Sequence, residues 1–362
     1  MLDCLICVLI LTLFILLSSG RINTIMIHRQ PEFVVVGGLR EDYFITPDGD
    51  VHLCETGGNA VYAGVGARLW NKKVALVSRV GENYPTDWIA QFASRGFDTR
   101  AIKILAGHHD TRTFYAYLSL EDRVDVDPAG HFARIGRLLP PELKDYTSST
   151  EGQEDKQVFA PLAPRPSDIP AFFKDARGLH VSPCDYLTQR TLPEAMHANG
   201  IKTVTCDPSV RYMQPGNKIE VAAVVRGLSA FLPSEMEVRS YHRNDTVNLW
   251  EAAAEFAAMG CPIVAIKRGA HGSYVYHAET DSRWHVPAYP VTIKDVTGAG
   301  DAYCGGFNVG LAETGDPVEA ALRGAVSASI VIESTGALTG LDAHPQLAQA
   351  RLSHLRESVR KL

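Results

Sequence analysis

The sequence of 362 residues has no run of like charges, no spaced cluster of cysteine or histidine ligands, and none of the commonest nucleotide or hydrolase signatures. Each absence removes a class. Its 35 Lys and Arg against 41 Asp and Glu leave a net charge of −6, whereas neutralising a nucleic-acid backbone takes clustered cations. No nucleic-acid partner is expected. Of the seven cysteines, Cys4, Cys7, Cys54, Cys184, Cys206, Cys261 and Cys304, only the first two are close, and they lie in an apolar run with no polar scaffold. That argues against a zinc or redox pair, and the scattered remainder reads as free thiols of a reducing compartment. The thirteen histidines form no ligand set, and His108 with His109 reads as a solvated loop pair. There is no G-x-x-x-x-G-K-[ST], no G-x-G-x-x-G after the first strand, no H-E-x-x-H and no G-x-S-x-G. P-loop, dinucleotide, zincin and α/β-hydrolase chemistry are therefore not indicated.

What is present begins with a globular composition: 46% apolar and 21% charged residues, enough chain for one large domain or two modest ones. Residues 4–17 are apolar apart from Thr12 and are followed by Ser18, Ser19 and Gly20, like a signal-peptide core or a short membrane span. Yet Asp3 precedes the run without any Lys or Arg, and Arg21, His28 and Arg29 follow it. If inserted, it would leave the body of the protein in the cytoplasm. The other reading, slightly favoured, is that translation starts at Met26. Membrane contact is expected only if residues 1–25 are real, and they are set aside from the fold.

Residues 33–38 (FVVVGG) read as a buried strand ending at a glycine turn, and 41–56 as a short hairpin turning at Pro47, Asp48 and Gly49. An Ala/Gly-rich helix is expected over 59–70, a strand over 74–80, and an amphipathic helix over 85–95 closed by Gly96. The run 111–120 (TRTFYAYLSL) alternates as a half-exposed strand would, and 127–170 has no clear period and reads as a mobile surface insertion. Beyond it, strand-like runs at 178–181, 203–206, 230–232 and 263–267 alternate with helices near 187–198, 218–226 and 246–259. A further strand at 273–276 precedes helices at about 299–313 and 316–332, and 346–362 reads as a tail helix. Strand alternating with helix implies a mainly parallel sheet covered on both faces, an α/β fold. The early hairpin (about 43–56) and 111–126 break that rhythm and read as a small β lid.

The strongest local signal is DVTGAGD at 295–301, followed by Ala302, Tyr303, Cys304, Gly305, Gly306 and Phe307. Gly298, Ala299 and Gly300 allow the backbone to approach an anion, and a helix starting there offers free N–H groups. An acid inside such a turn would repel phosphate. Asp301 therefore reads as a base that takes the proton of a hydroxyl attacking a phosphoryl group. The plain alternative is a glycine turn with Asp301 as a helix cap.

Residues 295–307 resemble the C-terminal D-T-x-G-A-G-D motif of the ribokinase (PfkB) family of carbohydrate kinases, and the resemblance runs in order over roughly 32–345, less much of 127–170. It implies a ribokinase-like fold with a β lid. Asp42 matches the family's acid that holds sugar hydroxyls, and Gly57 and Gly58 with Asn59 match its glycine pair at the substrate site. Residues 77–99 look like its strand, turn and helix, and Asp207, Pro208 and Arg211 its D-P-N-x-R stretch. Residues 266–272 (IKRGAHG), with Lys267, Gly269 and Gly272, look like its ATP-side strand and turn; Asp295 and Thr297 belong to the same nucleotide side. Ser234 and Glu237 stand where the family has N-x-x-E, which helps organise Mg²⁺ and phosphate; Glu237 is the residue it implies for the metal. Three positions depart: Tyr62 replaces an asparagine, Ser234 another, and Ser209 a third.

The resemblance implies ATP and Mg²⁺ as cofactors, with a monovalent cation such as K⁺ as a possible accessory, and a sugar or sugar-like acceptor held between Asp42, Gly57, Gly58, Asn59 and the lid. Homodimerisation through the lid and a cytoplasmic setting are further expectations. Two alternatives stay open. A nucleoside kinase shares the catalytic end, with Tyr62, Phe114, Tyr115 and Tyr117 available for a base, though at period two some must face away. A non-catalytic ligand-binding protein would keep the fold alone.

Overall fold

The computed structural model describes residues 30–120, 122–148 and 150–362. The apolar N-terminal run, and with it the expectations on membrane contact and on Met26, lies outside the described residues. No helix among the described residues is long and apolar enough to cross a membrane.

The first half of the chain forms β1 (Phe33–Val36), β2 (Arg40–Ile45), β3 (Val51–Gly57), α1 (Asn59–Arg68), β4 (Val74–Gly81), α2 (Thr86–Ser94), β5 (Asp98–Leu105), β6 (Arg112–Tyr117), β7 (Arg123–Val124) and α3 (Pro128–Arg134). Then follow β8 (Gly178–Val181), α4 (Tyr186–Ala198), β9 (Thr203–Cys206), α5 (Lys218–Val225), β10 (Ala230–Phe231), α6 (Glu235–His242), α7 (Leu249–Ala258) and β11 (Ile263–Lys267). The chain ends with β12 (Ser273–His277), β13 (Ser282–Val286), α8 (Ala299–Thr314), α9 (Pro317–Val331), α10 (Leu347–Arg356) and β14 (Arg360–Lys361).

Ten strands make one sheet in the order β14-β13-β12-β11-β10-β9-β8-β1-β4-β5, and four make a second in the order β3-β2-β6-β7. In the large sheet β11 through β5 run parallel, and the β12 to β14 edge is antiparallel. Apolar runs such as FVVV arise because both faces are covered. Val34 and Val36 enter a core with Leu192, Val224 and Phe256, while Phe33 and Val35 enter the opposite one with Ala60, Phe92 and Val309. The α/β fold with a mainly parallel sheet, flanking helices and a small second sheet is the one expected from the alternation. The tail, expected as helix alone, also adds β14 to the sheet edge; two residues are too few to show a period.

Two features carry the site. α1 and α8 lie with their backbones in contact: a Cβ on Gly66 would stand 2.0 Å from the Ala302 carbonyl oxygen, and one on Gly305 only 1.8 Å from that of Ala63. Only glycine permits that approach. The segment 127–170, read as a mobile surface insertion, instead sends anchors into the body. Phe132 and Leu143 cover Tyr43, Ile45, Phe114 and Ala116 on the outer face of the small sheet. Asp168 is buried and accepts two hydrogen bonds from Arg79, at 2.6 and 2.9 Å. Single anchors separated by turns leave no periodic trace in the sequence, which is why this part was not legible.

Candidate active site

β1 has β4 on one side and β8 on the other, so the strand order reverses there. In open α/β sheets the crevice beyond the strand C-termini at such a point is where ligands bind. Gly38 after β1, Pro183, Cys184 and Asp185 after β8, Arg40 at the start of β2, and His109 and Asp110 in the loop before β6 line a cleft at this place. His109, read as a solvated loop residue, is thus a wall of the cleft. Asp207 follows β9, Ser234 follows β10, and Lys267 ends β11, so the predicted residues from distant segments gather along one edge of the sheet.

At one end of this edge α8 begins. Gly298 is its N-cap with φ 75°, a left-handed conformation that favours glycine. Its carbonyl receives the Ala302 N–H at 2.8 Å. The Ala299 N–H turns back to the Val296 carbonyl at 3.2 Å, so of the 298–301 amides expected to face an anion this one is already engaged. Among the described residues no acceptor serves the N–H groups of Gly298, Gly300 and Asp301. Asp295 and Thr297 brace the turn: an Asp295 carboxylate oxygen accepts the Thr297 N–H at 2.9 Å, and the Thr297 hydroxyl meets the Tyr117 hydroxyl of the lid at 2.7 Å.

Asp301 lies in the first turn of α8. Burial pushes its carboxyl up to about 7, with Lys267 and Arg123 pulling down and Asp42 and Glu237 pushing up. A carboxylate balanced near neutrality can both take and release a proton. Lys267 comes alongside: a Cβ on Gly300 would lie 3.6 Å from its Nζ. That ammonium pairs with Asp207 and lies 3.5 Å from Cys304 Sγ. Burial works against its charge, but Asp207 and Glu237 more than offset this and its pKa stays raised. The second Asp207 oxygen, Oδ1, is buried with no partner.

Ser234 and Glu237 form a capping box at the start of α6: the Ser234 N–H reaches Glu237 Oε2 at 2.7 Å, and the Glu237 N–H reaches the serine hydroxyl at 3.2 Å. One Glu237 oxygen is thus occupied by the helix start. The carboxyl is buried and pushed up to about 7, by burial first and then by Asp207. Gly269 and Gly272 both have positive φ; a Cβ on Gly272 would strike the Val286 carbonyl at 2.1 Å, whereas Gly269 faces open space. Ser209 gives its hydroxyl hydrogen to Gln153 at 2.8 Å, and Arg211 reaches Thr150 and Ser148 at 2.7 and 3.2 Å. These positions fasten the 127–170 segment to the sheet.

At the other end stands Asp42 on β2, buried, its carboxyl raised to about 7 by burial against the opposing effect of the Gly58 N–H. Its Oδ1 has no partner. A Cβ on Gly57 would fall 1.8 Å from the other Asp42 oxygen, and one on Gly58 2.4 Å from the Gly38 carbonyl. The glycine pair makes room for the acid and for the turn after β1. Asn59 is placed differently from the direct substrate contact that the resemblance implies. Its Oδ1 accepts the Gly38 N–H at 2.8 Å and its amide donates to the Pro183 carbonyl at 2.5 Å, so it ties the β1 and β8 turns together.

The structure adds residues that sequence reading did not single out or left open. Tyr62, one of the departures, is buried with its ring against Gly298, where a Cβ would come within 2.1 Å. Tyr115 and Tyr117 alternate with the outward Phe114 and Ala116, which puts the two tyrosines on the face toward α8. Arg123 on β7 packs over the Tyr115 ring at 4.3 Å, and its charge acts on Asp301. Its signal was within reach, since it opposes Tyr117 across the lid, but β7 is two residues long and has no pattern of its own. Among the described residues no group of three His, Cys, Asp or Glu could hold a metal.

The family model for pfkB family carbohydrate kinase matches residues 165–344. A cytidine kinase of Thermococcus kodakarensis is 27% identical over 292 residues, spanning 81% of this chain and 92% of that protein. Among solved structures, an Arabidopsis thaliana ribokinase complexed with ribose and ATP superposes with a TM-score of 0.65 at 16% identity, over 90% of this chain and 99% of that one. A Methanocaldococcus jannaschii nucleoside kinase gives 0.61 at 16%, with the same coverage.

Proposed function

The chain belongs to the ribokinase (PfkB) family of kinases, and from that premise we propose that it transfers the γ-phosphoryl group of ATP to a hydroxyl of a sugar-containing small molecule, with Asp301 as general base. The observation that carries this reading is the turn at 298–301: three free amides and a carboxylate raised to about 7 share one helix start. The acceptor hydroxyl gives its proton to Asp301 while its oxygen attacks. The amides of Gly300 and Asp301 receive charge developing on the transferred group, and the Lys267 ammonium stands beside them. A positioned donor is typically worth about 10²–10³ in rate and a general base about 10²–10⁴.

Mg²⁺ fits this donor set without a cage of three protein ligands, because it is ordinarily held by one or two carboxylates, phosphate oxygens and water. The unpartnered Asp207 Oδ1 and the buried Glu237 are the residues that would hold it, directly or through water. Bound there, it would neutralise phosphate charge. Asp42, with one oxygen unpartnered, holds an acceptor hydroxyl, and the Tyr117–Thr297 contact closes the lid over the site and limits water as a rival acceptor.

A nucleoside acceptor is the second reading, favoured by the inward Tyr115 and Tyr117 and by the likeness to a cytidine kinase. ADP release measured over a panel of sugars and nucleosides separates the two. Turnover that depends on one acceptor class and disappears in Asp301→Asn is the expected result. Acceptor-dependent turnover that persists in that variant would remove the assigned base.

A further inference from the structure

Arg40 lies on β2 two residues before Asp42, so at strand period it shares the inner face of the lid. Its guanidinium folds back over the turn after β1, where a Cβ on Gly38 would be 3.0 Å from Nε and 3.4 Å from Nη2. It lines the cleft at the strand C-termini. The structure gives it no hydrogen bond, ion pair or ring contact from the described residues.

The acids around it are engaged elsewhere. Asp110 accepts from Arg112 Nε and Nη2 at 2.8 and 2.6 Å. Asp185 accepts the N–H groups of Ala160 and Leu187 at 3.0 and 2.9 Å. Asp42 takes the Gly58 N–H on one side, and Glu151 stands exposed at the rim. The cleft therefore offers an unfilled donor fork, and the buried, unpartnered Asp42 Oδ1 lies behind it, two positions along the same face of β2.

We infer that Arg40 reads an anionic oxygen pair, a carboxylate or a phosphate, on the acceptor next to the hydroxyl that Asp42 holds. A neutral hydroxyl would satisfy one N–H and leave the guanidinium desolvated without a counter-charge once the cleft fills, which is costly. An oxyanion takes two parallel bonds from the planar fork and supplies that charge. The acceptor is then a sugar acid or a sugar phosphate, and this rests on the kinase reading above for the step that follows binding.

The test compares matched pairs on the full chain with MgATP: gluconate against glucose, ribose 5-phosphate against ribose, and cytidine as a neutral nucleoside. A charge-assisted bond pair predicts that an anionic member exceeds its neutral partner by about 10- to 100-fold in kcat/KM. Arg40→Gln should erase that ratio with KM for ATP unchanged, and Arg40→Lys should restore part of it. Which pair shows the ratio distinguishes a carboxylate from a phosphate. Preference for the neutral member in every pair, or for cytidine, overturns the inference while leaving a kinase. So does an equal loss on both members in Arg40→Gln. If nothing in the panel is phosphorylated, thermal shift decides the binding question separately. A rise in Tm with gluconate or ribose 5-phosphate that Arg40→Gln abolishes upholds Arg40 without the kinase reading, and no rise with either overturns it.

Discussion

At the α8 end of the cleft the groups proposed to do the chemistry are main-chain amides and one carboxylate, set by helices whose backbones touch. At the lid end they are side chains on alternate positions of three short strands. The first arrangement depends on atoms that are missing: Gly66, Gly298 and Gly305 each stand where a Cβ would meet a carbonyl or a ring at about 2 Å. The second depends on which residue occupies each inward position, Arg40, Asp42, Tyr115, Tyr117 and Arg123. On the proposed function, chemistry common to many acceptors is thus built into packing that tolerates no added atom, and the choice of acceptor into side chains that can be exchanged with the strands intact.

The sharpest way to test that contrast is at Asp301. Asp301→Asn keeps the shape and removes the proposed base, and should lower kcat by at least about 10²-fold while ATP affinity stays near that of the parent. Because the carboxyl is raised to about 7 and acts ionised, kcat/KM should fall as pH drops below about 7, not below the usual carboxylate range near 4. A profile flat down to pH 5 would place the base elsewhere.

Next in size is a test of the backbone contact itself. Gly305→Ala forces a methyl into the Ala63 carbonyl oxygen 1.8 Å away, and overpacking of this kind costs about 1–3 kcal/mol or more. The denaturation midpoint should fall accordingly, and kcat with it, since α8 carries Asp301. An unchanged midpoint would show that α1 and α8 can separate freely.

The same contrast explains what the sequence made legible. The glycines and Asp301 form one contiguous motif, so the α8 end could be read from residue types alone, and the alternation of strand and helix disclosed the large sheet. The lid face could not be read that way. Residues 111–120 were expected to be half exposed, yet Phe114 and Ala116 are buried, because their cover comes from Phe132 and Leu143 in a segment without period. Nor did the sequence disclose that Asn59 holds two turns together, since its partners are backbone groups of Gly38 and Pro183, the second 124 residues away in the chain.

A smaller effect is expected at Asp42. Asp42→Ala should raise the acceptor KM by about 10-fold or more, in line with charged hydrogen bonds of about 1.5–3 kcal/mol each, and leave KM for ATP little changed. Asp42→Asn should be milder if hydrogen bonding dominates. The charge of Asp42 raises the Asp301 pKa, so Asp42→Asn should also move the acid limb of the rate profile to lower pH. Selective loss of ATP affinity in both variants would reverse the orientation of the cleft.

The smallest effect joins the two ends. The Tyr117 hydroxyl on β6 meets the Thr297 hydroxyl of the α8 turn at 2.7 Å, and Arg123 approaches the same phenol oxygen at 3.5 Å. Tyr117→Phe removes this bridge while keeping the ring that packs beside Tyr115. A neutral hydrogen bond is worth about 0.5–1.5 kcal/mol net, and it is made only when the lid lies over the turn. Its loss should therefore appear as an acceptor KM raised by about 2- to 10-fold, and as more ATP hydrolysed without an acceptor, because an opened lid admits water. Thr297→Val should give the same pair of changes, and the double variant no more than either single one, since both remove one interaction. Fully additive losses would mean that the two hydroxyls act separately, with Tyr117 serving the acceptor and Thr297 the nucleotide.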